Sequence, residues 1–342
     1  MPVQYEPFNT SQDVTTTKTL LHEVIPITGS IVSGAYSEGN IKNYSHGMFQ
    51  SVYDYPYLSS SANHIFDITV GYDESSGLSG SGTQNAKKIN LYNQYAQVLL
   101  GYTGTGSSVR RFESDDTLDD SSPMNEVFFV NFSRLITKDQ IKKGSFTLSL
   151  GTGSAYTSPF AGDQLVLQDA LASEREGYTA TQGGDYGLLY SNSAGTGDVL
   201  GNVFYQAGIA VITASVFDSG VEMNSAGEDV DAVLTGSAIS GACDALRHRM
   251  FNLSFNNTTE INSKIYFCRV PHNKYNYSAN PTYLSGAEVR VKDGVATANP
   301  ISYITTIGLY SSTGELLATA KLSEPLRKDP TNELTLRVRL DY

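Results

Sequence analysis

The chain has 342 residues with 40% hydrophobic side chains, enough for one large or two ordinary cores and too many for an intrinsically disordered chain. Its 35 acidic residues against 23 basic ones give a net charge of −12. Such a chain repels phosphate backbones and anionic membrane surfaces, so neither direct nucleic-acid contact nor membrane insertion is expected.

The glycines, tyrosines and frequent Ser, Thr and Asn favour strands and tight turns over long helices. No run approaches the roughly 18 apolar residues of a membrane span. The opening Met1-Pro2-Val3-Gln4-Tyr5-Glu6-Pro7 lacks the basic and apolar segments of a secretory leader. Cys243 and Cys268 are too few for a disulfide scaffold and suit a reducing compartment. The chain is therefore expected to stay in the cytoplasm or leave by lysis. The Asn-x-Ser/Thr triplets at Asn43, Asn131, Asn256 and Asn276 are read as products of composition.

Residues 1–19 are polar, Thr-rich and aperiodic, and read as an extended arm, either disordered or laid on a partner. A β-rich domain is expected over 20–150. Its first segment, Leu20 to Tyr36, is apolar and β-branched with interruptions at Pro26 and Gly29, which predicts a bent strand. The aromatics from Met48 to Tyr57 suit either core packing or a tyrosine-rich contact surface. The loop Gly77 to Gly82 precedes a predicted helix over 85–100. Ile89, Tyr92, Ala96 and Leu99 share one face of it, Leu91, Tyr95 and Val98 widen that face, and Gly101 supplies a left-handed stop.

Thr137 and Gln140 form a capping box, with Ile136 and Ile141 placed as a hydrophobic staple, so a short helix ending at Gly144 is predicted. Strand-like runs, Val127 to Phe132 and Phe146 to Leu150, flank it. Residues 151–241 are Gly/Ser-rich and acidic and read as long loops around a few strands, with apolar runs at Tyr186 to Tyr190 and Val203 to Phe217. The C-terminal region, 242–342, is the most regular. Tyr303 to Tyr310 and Glu315 to Leu322 are joined by a four-residue hairpin loop. Leu334, Leu336, Val338, Leu340 and Tyr342 alternate with polar residues as a strand with one buried face. The fold class expected is mainly β, antiparallel and sandwich-like, with one buried helix and long Gly/Ser-rich loops.

No P-loop, dinucleotide fingerprint or Gly-x-Ser-x-Gly elbow is present; Gly101, Gly104 and Gly106 have the wrong order and follow a helix. Cys243-x4-His248 and Cys268-x3-His272 could complete a zinc tetrahedron, but structural zinc serves small modules with little core and cysteine is often buried for packing alone. Asp115, Asp116, Asp119 and Asp120 form an acidic knot that could hold calcium, but without the ligand spacing of an EF-hand it reads as a solvated acidic turn; Arg110-Arg111 just before it either neutralise it or meet an acidic neighbouring subunit. No catalytic residue, cofactor or metal is expected, and the chain is read as not an enzyme.

Several stretches carry a resemblance. Leu21 to Gly29, Phe49 to Tyr57, Asn131 to Gln140, Ile265 to Asn273, and the ending Ser323 to Asp329 with Leu336 to Tyr342 resemble a virion structural protein family of large contractile-tailed phages, especially marine cyanophages. The closing strand is similar to that of baseplate wedge proteins. The resemblance implies a tail or baseplate assembly protein, located in the virion and assembled in the host cytoplasm. Its implied partners are other virion structural proteins, with a homo-oligomer in a symmetric assembly. A receptor- or glycan-binding module, or a neck or capsid-associated protein, is the alternative.

Overall fold

The computed structural model describes all residues except 1–4, 24–37, 81–83, 105–107, 137–138, 163, 174–177, 218–219, 279–280, 282–283, 286–287, 290–299 and 342. The chain is mostly β, with antiparallel sheets and few helices, in keeping with the sandwich-like class expected. The first strands are β1 (Val14–Glu23), β2 (Ile41–Asn43), β3 (Gln50–Tyr53) and β4 (His64–Tyr72), followed by helix α1 (Asn85–Leu99). Next come β5 (Glu126–Asn131), β6 (Gln140–Ile141), β7 (Thr147–Leu150), β8 (Leu165–Gln168), β9 (Tyr178–Thr181), β10 (Gly184–Tyr190), β11 (Val199–Phe204) and β12 (Ile209–Thr213). Helices α2 (Val230–Thr235) and α3 (Ile239–Arg249) lead to β13 (Met250–Ser254) and β14 (Asn257–Val270). The chain closes with β15 (Leu284–Ser285), β16 (Glu288–Val289), β17 (Ser302–Tyr310), β18 (Leu316–Lys328) and β19 (Leu334–Asp341). Two compact units result: Leu20–Glu260, and Met1–Thr19 with Ile261–Tyr342.

The larger unit is built on an eleven-stranded sheet in the order β13-β7-β8-β10-β11-β12-β5-β4-β3-β2, with β9 also pairing β10. At its centre β12 and β5 pair from Ile209 opposite Asn131 to Thr213 opposite Val127. Side chains on successive residues leave opposite faces of a strand. Phe128, Val130, Ala210 and Ile212 accordingly enter one apolar cluster, and Val127, Phe129, Ile209 and Val211 another. Both faces are therefore covered, which is why Val127-Phe128-Phe129-Val130 is apolar without alternation. Each such side chain contributes roughly 1.5–3 kcal/mol by leaving water.

Helix α1 gives Tyr92, Ala96 and Leu99 to the second cluster, while α3 gives Ala242, Cys243 and Leu246 to the first. The helix lies so close on β4 that a Cβ at Gly71 would sit 2.9 Å from the Lys88 carbonyl oxygen and the Tyr92 amide nitrogen. Gly101, at φ +82°, ends α1 as expected. The buried face differs in detail: Val98 is 68% exposed and Lys88 is buried in its place. Lys88 Nζ donates to the carbonyl oxygens of Leu234 (2.5 Å) and Gly236 (2.8 Å), satisfying the C-terminal end of α2.

In the smaller unit β14 pairs with β19 from Ser263 opposite Asp341 to Val270 opposite Leu334, and β1 lies on the other side of β14. The alternation read from Leu334 onward holds, with Val338 buried, its apolar neighbours half-buried and the intervening polar residues exposed; Tyr342 lies outside the described residues. Strands β17 and β18 form a separate two-stranded ribbon. Its turn is closed by the Gly314 amide on the Ser311 carbonyl (3.0 Å), with Gly314 at φ +86°. The second strand runs past Leu322 to Lys328. Between Ile304–Leu326 and Thr306–Lys321 the register shifts, and the extra residues take Pro325 out of the ladder it cannot donate to.

Three expectations differ from the structure. Where a short helix ending at Gly144 is predicted, Gln140 and Ile141 instead form β6 opposite Thr258 and Asn257, and a 3-10 turn at Ser133–Leu135 precedes them. Thr137 itself lies outside the described residues. Ile141 is fully buried and its amide reaches the Tyr205 carbonyl at 3.0 Å, so tertiary pairing overrides the local capping pattern. Helices α2 and α3 are additional to those expected: α2 is too short to show a period, whereas α3 carries buried Ile239, Ala242, Cys243 and Leu246 at helical spacing across the boundary drawn at 241; Asp229 caps α2 by accepting from the Ala232 amide at 2.9 Å. Residues 5–19, expected to be disordered or laid on a partner, pack on their own chain. Tyr5 meets Tyr310, Phe8 meets Tyr266, Asp13 pairs with Arg269 at 2.7 Å, and Glu6 pairs with Lys274. A few aromatics and ion pairs anchor the segment where no apolar period was needed. The bend expected at Pro26 and Gly29 lies outside the described residues.

Candidate functional site

The smaller unit contains a cleft of about 990 Å³ between residues 5–13, the end of β14 and the β17–β18 ribbon. That volume is typical of a small-ligand site. Tyr5, Phe8, Tyr277, Tyr303 and Tyr310 line it and are all exposed. Tyr5 and Tyr310 meet edge to face with ring centres 4.9 Å apart. The charges at its wall are already matched, Asp13 with Arg269 and Glu6 with Lys274, so the cleft offers rings and neutralised polar edges. Asp13 is further fixed by the Asn9 amide, which donates to Oδ2 at 2.9 Å. At the base of the ribbon, the buried Lys328 Nζ donates to Asn276 Oδ1 (2.6 Å) and to the carbonyls of Asp329 (2.8 Å) and His272 (3.2 Å).

Above that base the ribbon has little core. Leu309 is its one buried large apolar side chain, while Tyr303, Tyr310, Leu316 and Leu317 are exposed, Leu317 by 68%. An isolated two-stranded ribbon is marginal in water, so this one gains from anything that covers it.

The four residues weighed for zinc are divided between the units, and each has its own setting. Cys243 is buried in α3 and donates its thiol to the Ile68 carbonyl at 3.2 Å; burial pushes its pKa far up, away from the thiolate a metal needs. His248 stacks on Tyr156 at 4.1 Å and uses Nε2 on the Tyr156 carbonyl at 2.8 Å. Cys268 is half-buried on β14, where burial also raises its pKa. His272 Nδ1 faces Glu333 at 3.0 Å.

The acidic knot is sorted differently from its sequence order. Asp115 and Asp119 come together with Glu113, which sequence spacing did not single out, so that one carboxylate oxygen from each lies within 4.8 Å of the others. Asp120 turns away to Arg111 at 2.6 Å, and Asp116 is exposed outside the group. Among the described residues this is the one group of three or more His, Cys, Asp or Glu close enough to share an ion. The aromatic segment splits as well. Gln50, Ser51 and Val52 are buried in β3, whereas Tyr55, Tyr57 and Leu58 are exposed.

One further polar cluster was not visible in sequence. Ser51 Oγ and His64 Nε2 both reach the same Asp67 oxygen, at 2.5 Å and 2.6 Å. A nucleophile needs its base on the hydroxyl, and here the hydroxyl is spent on the carboxylate, so the geometry is not that of a catalytic triad. Among the described residues no helix is long and apolar enough to cross a membrane. No family model, curated protein or solved structure matches this chain.

Proposed function

We propose that this chain is a structural component of a contractile-tailed phage virion, placed in the tail or baseplate, and that its smaller unit joins it to neighbouring subunits. The observation that carries the reading is the β17–β18 ribbon. It extends Tyr303, Tyr310, Leu316 and Leu317 into solvent with almost no core of its own. Exposed apolar surface of this kind marks an interaction surface, and aromatic side chains are enriched at the centre of such interfaces. The resemblance of the closing strand and of the stretches around Asn131 and Ile265 to virion proteins supports the same reading. The acidic balance favours protein neighbours over nucleic acid.

The test is incorporation. Leu316→Ser with Leu317→Ser removes exposed side chains only, so the free subunit should melt as wild type does while failing to enter particles in a complementation assay. Normal incorporation of the double variant overturns the reading.

The cleft favours a second reading, a glycan-binding module, because exposed tyrosines beside paired charges suit the stacking and hydrogen bonding of a neutral sugar. On that reading Tyr277→Ala leaves incorporation intact and lowers adsorption of particles to host cells. On the assembly reading adsorption is unchanged.

A further inference from the structure

The cleft of the smaller unit has one wall built differently from the rest. Its base is pinned, since Ser302 Oγ donates to the Tyr275 carbonyl at 2.5 Å beside the hydrogen bonds of Lys328. Behind it stand β14 and β19, where Cys268 lies opposite Leu336 and both line the cleft. The remaining wall, residues 5–13, has two unlike parts.

The second part is a rigid corner. The Gln12 and Asp13 amides donate to the Asn9 carbonyl at 3.0 Å and 2.7 Å, and the Asn9 amide returns to Asp13 Oδ2 at 2.9 Å. Asp13 fastens this corner to β14 by pairing with Arg269 at 2.7 Å and by accepting the Phe267 amide on its carbonyl at 2.8 Å. The first part has no such frame. Among the described residues no backbone hydrogen bond reaches residues 5–8. They are held by side chains: Tyr5 meets Tyr310 at the tip of the ribbon, Glu6 pairs with Lys274, and Phe8 packs on Tyr266 with ring centres 5.4 Å apart. Tyr5 is 49% exposed and Phe8 36%, and the ion pair is part-exposed, so each contact is of the weak kind. A segment held only by such contacts, and continuous with a fixed corner, opens locally at far lower cost than the fold does. Side chains two apart on a strand leave the same face, so Phe8 on Tyr266 sits beside Cys268.

We propose that residues 5–8 are a strap that swings on the corner at Asn9–Asp13, closing the cleft over Cys268 and fastening the tip of the ribbon through Tyr310. The strap thereby governs access to the surface that the assembly reading assigns to a neighbouring subunit, and its role, though not its motion, rests on that reading.

The two cysteines report the motion separately. Cys243 is fully buried in the larger unit and opens only with wider unfolding, whereas Cys268 is half-buried in the cleft. With the full native chain and an uncharged disulfide reagent, dithiodipyridine, Cys268 should react first. Tyr5→Ala should raise the Cys268 rate by about tenfold and leave Cys243 as it is. Glu6→Gln should raise it less, and Tyr5→Phe, which keeps the ring, should react as wild type does. In Tyr5→Ala hydrogen exchange should also quicken at the ribbon tip, Leu309 to Leu317, and not in β14 or β19. A Cys268 rate or a ribbon tip unchanged in Tyr5→Ala overturns the proposal. So does a Cys268 rate that rises only together with that of Cys243, since that is general destabilisation. These readings are taken on the free chain, so they are independent of whether Leu316→Ser with Leu317→Ser blocks incorporation, which judges the assembly reading alone.

Discussion

Tyr205 donates its hydroxyl to Asp169 Oδ2 at 3.0 Å, and both residues are buried. The same carboxylate accepts the Gly144 amide on Oδ2 (2.7 Å) and the Phe146 amide on Oδ1 (2.9 Å). One aspartate therefore ties the turn before β7 to the residue that follows β11. Burial opposes these donors and prevails, raising the Asp169 carboxyl to about 7.

A pH dependence follows from that balance. Unfolded, Asp169 titrates near 3.8, whereas folded it titrates near 7, so the native state binds more protons between those values. Stability from this group is full below about pH 4 and is lost as pH rises through about 7, by an amount on the order of a few kcal/mol. The melting temperature should fall from about pH 4 to pH 7 and level off above that, and Asp169→Asn should flatten the profile. A variant profile as steep as the wild type's would remove Asp169 as the cause.

Lys88→Met keeps the length of the side chain and removes its donors. The carbonyls of Leu234 and Gly236 then lose the amine that satisfies them, at a cost of about 2–4 kcal/mol. Urea titration should show that loss. An unchanged midpoint would mean that water replaces the amine.

Gly71→Ala introduces one methyl where the helix backbone is 2.9 Å away. Neither backbone can retreat without disturbing the core between β4 and α1, so a loss of about 1–3 kcal/mol is expected. Gly77→Ala, where a Cβ meets nothing within 4 Å, is the matched control and should change little.

The closing strand makes a sharper contrast. Val338 is buried opposite Tyr266 on β14, and Arg337 beside it is exposed. Val338→Asp should open the β14–β19 pairing, read as fast hydrogen exchange in Tyr266 and its neighbours. Arg337→Ala should fall within about ±0.5 kcal/mol of wild type. Equal protection in both variants would show that the strand adds nothing to the smaller unit.

How far the sequence could be read is clearest from these positions. The alternation from Leu334, the unbroken Val127-Phe128-Phe129-Val130 run and the face of α1 were legible because their partners impose a simple period. Lys88 was not, because its burial depends on the end of α2, 146 residues away in sequence. Gln140 and Ile141 carried a persuasive helix signal that lost to pairing with β14. In the acidic loop the sequence showed a run of aspartates but not their sorting. Glu113 joins Asp115 and Asp119 only because the paired ends of the loop bring residue 113 opposite Pro123. The cleft was hidden for the same reason, since Tyr5 and Tyr310 meet although they lie 305 positions apart in the chain.

The central claim, that this chain is a virion component joined to its neighbours through the smaller unit, is tested most directly on purified particles. Cross-linking mass spectrometry of intact virions should find the chain at a fixed copy number, with cross-links from Lys321 on β18 to a neighbouring subunit. Absence of the chain from particles washed free of lysate, or its presence with Lys321 linked only within its own chain, would contradict the account.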